Sequence, residues 1–188
     1  EQKQRYLPKL VSTEMIGGLA LTEPNAGSEA VGIQTLARKV DGGFLLSGTK
    51  VFITNGPIAN LLIVYTKTRP EAGSRGITAF IFETATKGFH VARKLQKLGM
   101  HGSPTGELVF EDAFVPDENV LGHVNEGYKV VMSGLDLERA YFAVSAIGGI
   151  EAALEMSLKY AKEREQFGQP IANFQLIQAK LADMYTDL

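Results

Sequence analysis

Between Met15 and Pro116, short runs of β-branched, aromatic and aliphatic residues alternate with Gly, Asn, Asp and Pro. The runs fall at 18–21, 34–40, 44–47, 50–54, 61–67, 77–83, 90–95 and 107–115. Short strands at this spacing predict an all-β barrel or sandwich. The segment TLARKVDGGFLLSG predicts a hairpin: Leu36, Arg38 and Val40 share one face, Ala37 and Lys39 the other, and Asp41-Gly42-Gly43 supplies the positive φ of a tight turn. Loops are expected at 68–75 (TRPEAGSR) and at 99–106, around Pro70, Gly73, Gly102 and Pro104.

Beyond Pro116 the period becomes helical. Apolar or small residues at Val131, Leu135, Phe142, Ala146, Ile150, Leu154 and Leu158 predict a helix from Asn125 or Glu126 to about residue 163. Gly148 and Gly149 inside it cost roughly 1 kcal/mol each relative to Ala, so they predict close packing there. A loop around Gly168 and Pro170 leads to a second helix with Asn173 as its expected N-cap. Residues 1–12, interrupted by Pro8, read as the end of a helix or a linker. The expected fold class is α+β and multidomain: residues 1–12 closing an earlier helical domain or linker, an all-β barrel or sandwich over 13–122, and the first helices of a bundle over 123–188. Two helices with wide apolar faces leave a large patch bare, which predicts partner helices outside this sequence and marks it as a fragment.

Composition narrows the functions. With 45% hydrophobic and 21% charged residues among 188, the chain has the make-up of a folded globular protein. Its 19 Lys and Arg against 21 Asp and Glu give a net charge of -2, which disfavours nucleic acid as a partner because phosphate neutralisation needs a basic surplus. The absence of cysteine excludes disulfides, thiolate catalysis and Cys-ligated zinc. His90, His101 and His123 lie too far apart in sequence for ligand spacing, so no metal site is expected. No unbroken apolar run approaches the ~20 residues of a membrane span, and no membrane association is expected.

Candidate chemistry sits at three places. Glu138 shares a helical stripe with Val131, Gly134, Leu135, Phe142 and Ser145 and has Leu135, Gly134, Tyr141 and Phe142 at the positions where helical charge partners would stand. Asp136, by contrast, has Arg139 three residues on. A lone carboxylate on an apolar face is either a solvated glutamate on an imperfect helix or a group held for proton transfer. The loop LALTEPNAGSEA, residues 19–30, bends at Pro24, Asn25, Ala26 and Gly27, beside the hydroxyls of Thr22 and Ser28, and is read either as an anion-binding nest of backbone N–H groups or as an ordinary strand connection. The segment VFITNGP, residues 51–57, places Phe52 and Thr54 where a flat ring can stack and find a hydroxyl, or it is a core strand entering a turn.

Taken together these segments are specific. LTEPNAGSEA, GTKVFITNG, SRGITAFI, LGMHGSPTGELVFEDAFVP, LDLER, and REQFGQPI with FQLIQAKLADM occur in the order seen in acyl-CoA dehydrogenases, and from about Val11 to Leu188 the chain resembles that flavoenzyme family. The resemblance implies the β-barrel middle domain and the first helices of a C-terminal four-helix domain. It implies FAD as cofactor, with Leu19, Leu21, Thr22, Gly27 and Ser28 bordering its isoalloxazine and pyrophosphate and Phe52, Ile53 and Thr54 against the flavin. Many members carry tryptophan where this chain has Phe52, which keeps an aromatic wall and removes an N–H donor. Arg164 and Gln175 match residues that reach the FAD of a neighbouring subunit, so a homo-oligomer is implied, a tetramer when complete. Ser28, Ser74 and Arg75 match positions touching the acyl-CoA substrate, and Asp136 and Arg139 flank its passage.

The family reaction removes the α-proton of an acyl thioester as a β-hydride leaves for flavin N5, and electron-transferring flavoprotein is the implied electron acceptor. Most members take the base from a late loop that lies outside this sequence, whereas the isovaleryl-CoA and long-chain branches place it on the long helix, at the glutamate of LDLER. That position is Glu138. The wording NEGYKVVMSGLDLER and FQLIQAKLADMYTDL resembles the isovaleryl-CoA branch most, although a substrate-side tyrosine of that branch falls on Lys129, with Tyr128 one place earlier. The implied location is the cytoplasm of a prokaryote or the mitochondrial matrix of a eukaryote. The alternatives are a non-catalytic relative that binds DNA, against which the acidic balance speaks, and a fragment too incomplete to bind FAD.

Overall fold

The structure, a computed structural model, describes residues 1–188 apart from the side chain of Ala143. It divides into two compact units, Glu1–Met132 and Ser133–Leu188.

The first unit begins with helix α1 (Gln2–Val11), so the opening segment is helical rather than a linker. Tyr6 packs on Leu61 and Ile81, and its hydroxyl donates to Glu83 Oε1 at 2.8 Å. The strands follow as β1 (Gly17–Ala20), β2 (Leu36–Val40), β3 (Gly43–Thr54), β4 (Leu61–Lys67), β5 (Ile77–Glu83), β6 (Phe89–Lys94), β7 (Thr105–Pro116) and β8 (Val120–Leu121). They form one mixed sheet in the order β6-β7-β3-β2-β4-β5-β8, with β1 parallel to β4. Strands β6 and β8 end the path unpaired to each other, so the expected barrel is not closed by hydrogen bonds.

The sheet nevertheless wraps a core. Phe44 lies 5.0 Å from Phe80, and Phe82 stands 5.1 Å from Phe110 and 5.4 Å from Phe89, in edge-on or tilted pairs worth about 0.5–1.5 kcal/mol each beyond their burial. The two runs expected at 44–47 and 50–54 are a single long strand whose register against β7 slips between Leu46 and Gly48 and again between Lys50 and Ile53. Such bulges bend a strand and re-aim its side chains. The hairpin turn forms as expected, with Gly42 at φ 71°; of the two faces of β2, the one carrying Ala37 supplies the buried residue.

Helix α2 (Gly127–Glu163) starts within the first unit and continues into the second. One window of it reaches a mean hydropathy of 1.2, enough for a membrane span by length and composition. Asp136, Glu138, Arg139, Glu151 and Glu155 recur along the helix, so hydropathy alone assigns no span. In the second unit, the expected loop after α2 is a tight hairpin of β9 (Glu165–Gln166) and β10 (Gln169–Pro170), with Phe167 at φ 54° and Gly168 at φ 77°. Helix α3 (Gln175–Asp187) is preceded by Phe174, with no side-chain cap. Asn173 instead ends a 3-10 turn, so its expected capping role is not observed. Nothing lies within 4 Å of a Cβ built on Gly148 or Gly149, so the close packing expected there is not made within the chain. Leu137, Tyr141, Phe142, Ile147, Met156 and Leu176 are exposed, the bare apolar faces expected of a partial bundle.

Candidate functional site

The two loops singled out by their sequence are laced together. Leaving β1, the chain offers Leu21 O to Lys50 Nζ (2.9 Å) and Thr22 O to the N–H of Val51 (2.9 Å), while Asn55 Nδ2 donates to Gly17 O (3.1 Å). The bend that follows is closed by Glu23 N–H to Ala26 O (3.0 Å) and Ala26 N–H to Glu23 O (3.2 Å). No residue from Pro24 to Ser28 adopts left-handed φ, and the Ala26 N–H is consumed in closing the turn. Of the two readings of this loop, the ordinary strand connection accounts for these bonds: the Glu23 and Ala26 N–H groups close the turn on each other, and the bend holds no αR–αL pair. Gly27 and Ser28 remain exposed, and a Cβ on Gly27 would meet nothing within 4 Å.

Facing outward beside this loop is the end of β3. Phe52 sits in the second bulge at φ 58°, a backbone region that bulky residues rarely adopt, and is 68% exposed. Strand alternation then buries Ile53 (2% exposed) and exposes Thr54. Leu19 is exposed and Leu21 and Thr22 are half-buried. The result is a shelf of one aromatic face, aliphatic side chains and a hydroxyl, open to solvent. Ile53 can meet a ligand there only through its backbone, since its side chain belongs to the core.

Beneath the shelf lies a pair that the sequence reading passed over. Lys50 has no exposed surface and Glu23 is 7% exposed. Glu23 Oε1 accepts from Lys50 Nζ (2.8 Å) and from the N–H of Thr35 (3.0 Å), and Oε2 accepts from the N–H of Gln34 (2.6 Å). Burial pushes the Glu23 carboxyl up, but the Lys50 charge, its hydrogen bond and the two N–H donors outweigh that and hold it below the ordinary range. Burial pushes the Lys50 ammonium down to about 8, opposed in part by the Glu23 charge. One signal was available: a charged residue between Thr49 and Val51 in a strand with apolar neighbours.

Ser74 and Arg75 lie on the 3-10 turn Pro70–Gly76. Lys67 Nζ holds Gly73 O at 2.7 Å, and Gly76 O accepts from the N–H (2.9 Å) and hydroxyl (3.2 Å) of Thr68. The same hydroxyl proton is shared with Asn125 Oδ1, the nearer acceptor at 2.8 Å. Together with Arg69, Asn125, Tyr128 and Lys129, Ser74 and Arg75 line an open cavity of about 380 Å³. Its cations Arg69, Arg75 and Lys129 outnumber Glu126, which pairs with Lys129 at 2.6 Å, so the cavity favours an anionic ligand. Ser28 does not line it. A Cβ on Gly76 would stand 1.8 Å from Arg69 O, so Gly76→Ala is expected to lower the unfolding free energy by about 1–3 kcal/mol, read by urea denaturation.

In the second unit, Asp136 and Arg139 form the expected pair at 3.4 Å. Glu138 is exposed and, among the described residues, has no ion pair. The desolvating surroundings expected of its stripe are not supplied by this unit, in which Phe142 is itself exposed. The Arg164 carbonyl accepts from the N–H of Ile171 at 2.8 Å, which ties the hairpin base. Gln175 opens α3 and lines, with Gln166, Phe167, Phe174 and Leu176, an open apolar cavity of about 730 Å³.

The chain matches two family models in succession: "Acyl-CoA dehydrogenase, middle domain" over residues 18–113 and "Acyl-CoA dehydrogenase, C-terminal domain" over 125–188. It is 58% identical over its whole length to a mitochondrial 2-methylacyl-CoA dehydrogenase of Solanum tuberosum and 57% identical to a mitochondrial isovaleryl-CoA dehydrogenase of the same plant, covering 46% of each. Its fold matches butyryl-CoA dehydrogenase from Megasphaera elsdenii with a TM-score of 0.92 at 47% identity, over 98% of this chain and 49% of that one. The chain thus spans about half the length of the curated relatives it matches. Matches to consecutive domains, joined to more than half of all positions identical across the full chain, make this a member of the acyl-CoA dehydrogenase family.

Proposed function

We propose that the complete protein is an FAD-dependent dehydrogenase of acyl-CoA thioesters, with a short branched-chain acyl group such as isovaleryl as substrate. The observation that carries the reading is the shelf formed where Thr22 and Val51 bond: a strained, outward-facing Phe52 beside Leu19, Leu21 and Thr54 suits one face and one polar edge of a flat heteroaromatic ring. Leu19, Leu21, Thr22, Gly27, Ser28, Phe52, Thr54 and the Ile53 backbone would hold the cofactor. When bound, FAD supplies the acceptor for the β-hydride.

The chain's own residues then have distinct tasks. Glu138 takes the α-proton, a role open to a carboxylate with no competing ion pair. Ser74 and Arg75, on the rim of the cationic cavity, hold the anionic carrier of the thioester, and Asp136 and Arg139 flank its path. Arg164 and Gln175 reach the FAD of a neighbouring subunit in a homotetramer, and electron-transferring flavoprotein reoxidises the enzyme. Similarity to relatives named isovaleryl-CoA and 2-methylacyl-CoA dehydrogenase supports the branched acyl group.

The test is the absorbance of the purified complete protein, expected to show a flavin band near one per chain that bleaches faster with isovaleryl-CoA than with straight-chain butyryl- or palmitoyl-CoA. Flavin-free protein, or bleaching by none of the thioesters, overturns the reading. Arg75→Ala is expected to raise KM about 10- to 100-fold at unchanged flavin content, the loss of a charged hydrogen bond of about 1.5–3 kcal/mol.

A further inference from the structure

The Glu23–Lys50 pair does more than fill the interior of a sheet. Burying two charges is expensive, and a fold alone is served as well by an apolar pair of the same volume. Here the pair joins segments that are separate in sequence. Lys50 Nζ reaches Leu21 O at 2.9 Å and Glu23 Oε1 at 2.8 Å, and Glu23 in turn takes the N–H groups of Gln34 and Thr35. Next along the chain from these anchors come the residues of the shelf: Thr22 lies between Leu21 and Glu23, and Phe52 lies two positions from Lys50. The link extends further. Thr35 O accepts from the N–H of Lys67 at 2.7 Å, and the Lys67 ammonium holds Gly73 O, beside Ser74 and Arg75.

We propose that Glu23 and Lys50 are positioning residues for the flavin: their shared hydrogen bonds set the separation of Thr22 from Phe52, and through it the affinity for FAD and the environment of its ring. The proposal rests on the flavin reading above. Neither side chain touches the ring, since both are buried beneath the loop. Their effect passes through the Leu21 carbonyl and through the Thr22 O to Val51 N–H bond. A site loosened by its supporting shell loses ligand affinity even where every contacting residue is kept.

The double variant Glu23→Gln/Lys50→Met in the complete protein keeps volume and leaves no orphan charge. Its amide offers one acceptor oxygen where Glu23 offered two to the N–H groups of Gln34 and Thr35, and Leu21 O loses its donor, so the apoprotein is expected to fold but to melt below the wild type. At temperatures where both proteins are fully folded, its FAD dissociation constant rises about tenfold or more and the visible circular dichroism of the bound flavin changes. Should the double variant not fold, Glu23→Asp keeps the charge and shortens the reach to Lys50, Gln34 and Thr35, and the same two readouts are expected to move. Variants that take up FAD with the wild-type constant and the wild-type visible spectrum overturn the proposal and leave the pair a structural one. Wild-type protein that takes up no FAD overturns the flavin reading and this proposal with it.

Discussion

Glu138→Gln in the complete protein is expected to slow bleaching of the flavin by acyl-CoA about 10²- to 10⁴-fold while leaving the flavin bound. The amide keeps the size of the side chain and its place on α2, and removes only the ability to accept a proton at that atom. Stability is expected to stay within about 0.5 kcal/mol, because Glu138 is exposed and, among the described residues, forms no ion pair. Retention of FAD follows from where the shelf is built, since Leu19, Thr22, Phe52 and Thr54 all lie in the first unit and Glu138 in the second. Single-turnover mixing with isovaleryl-CoA separates this step from product release. Reduction at the wild-type rate would remove Glu138 from the role of base.

The largest expected effect on stability belongs to Lys50→Met, at about 3–5 kcal/mol, because it strands the Glu23 carboxylate in the interior with only the N–H groups of Gln34 and Thr35. Urea denaturation of wild type and variant measures the difference, and its pH dependence identifies the cause. In the wild type the folded-state pKa of Glu23 lies below the ordinary 4.5, so its contribution is present above 4.5 and is lost as the pH falls through the folded value. Without Lys50, burial raises that carboxyl instead, so the variant gains stability on acidification. The gap between the two proteins is therefore wide near neutrality and narrows on acidification, first as the variant's raised carboxyl takes up its proton and then as the wild type's lowered one does. On the alkaline side, Lys50 has a folded-state pKa of about 8 against an ordinary 10.5. Its unfolded form binds more protons between those values, so the wild type alone gains stability as the pH rises through them. A gap that stays constant with pH would show that lost packing, not the orphaned carboxylate, is responsible.

The strands were legible wherever a residue's own neighbours decide its state. Leu61–Lys67 and Ile77–Glu83 occupy the ranges that their apolar runs predict, and the Asp41-Gly42-Gly43 turn forms where its glycines require. The misreadings occur where a partner decides. Residues 44–47 and 50–54 read as two strands because Gly48 interrupts them, yet β7 pairs along both and turns the interruption into a bulge. Val120–Leu121 is too short to read from its own pattern and becomes a strand only because Ala79 and Phe80 accept it at the sheet edge. The loop of 164–172 closes into a hairpin because Phe167 and Gly168 both take positive φ, a conformation not expected of phenylalanine.

The amino-acid sequence by itself determined the alternation that makes a β unit, the 3.6-residue period that makes α2, and the ordered motifs that place the chain in its family, since each depends on residues close together along the chain. Only the tertiary structure decided that the sheet stays open, that the Glu23 and Ala26 N–H groups close their own turn, that Phe52 faces outward from a bulge, and that Glu23 meets Lys50. These depend on pairing between distant segments, where one residue of register reverses every face and where a charge of either sign, read alone, is indistinguishable from one bound for solvent.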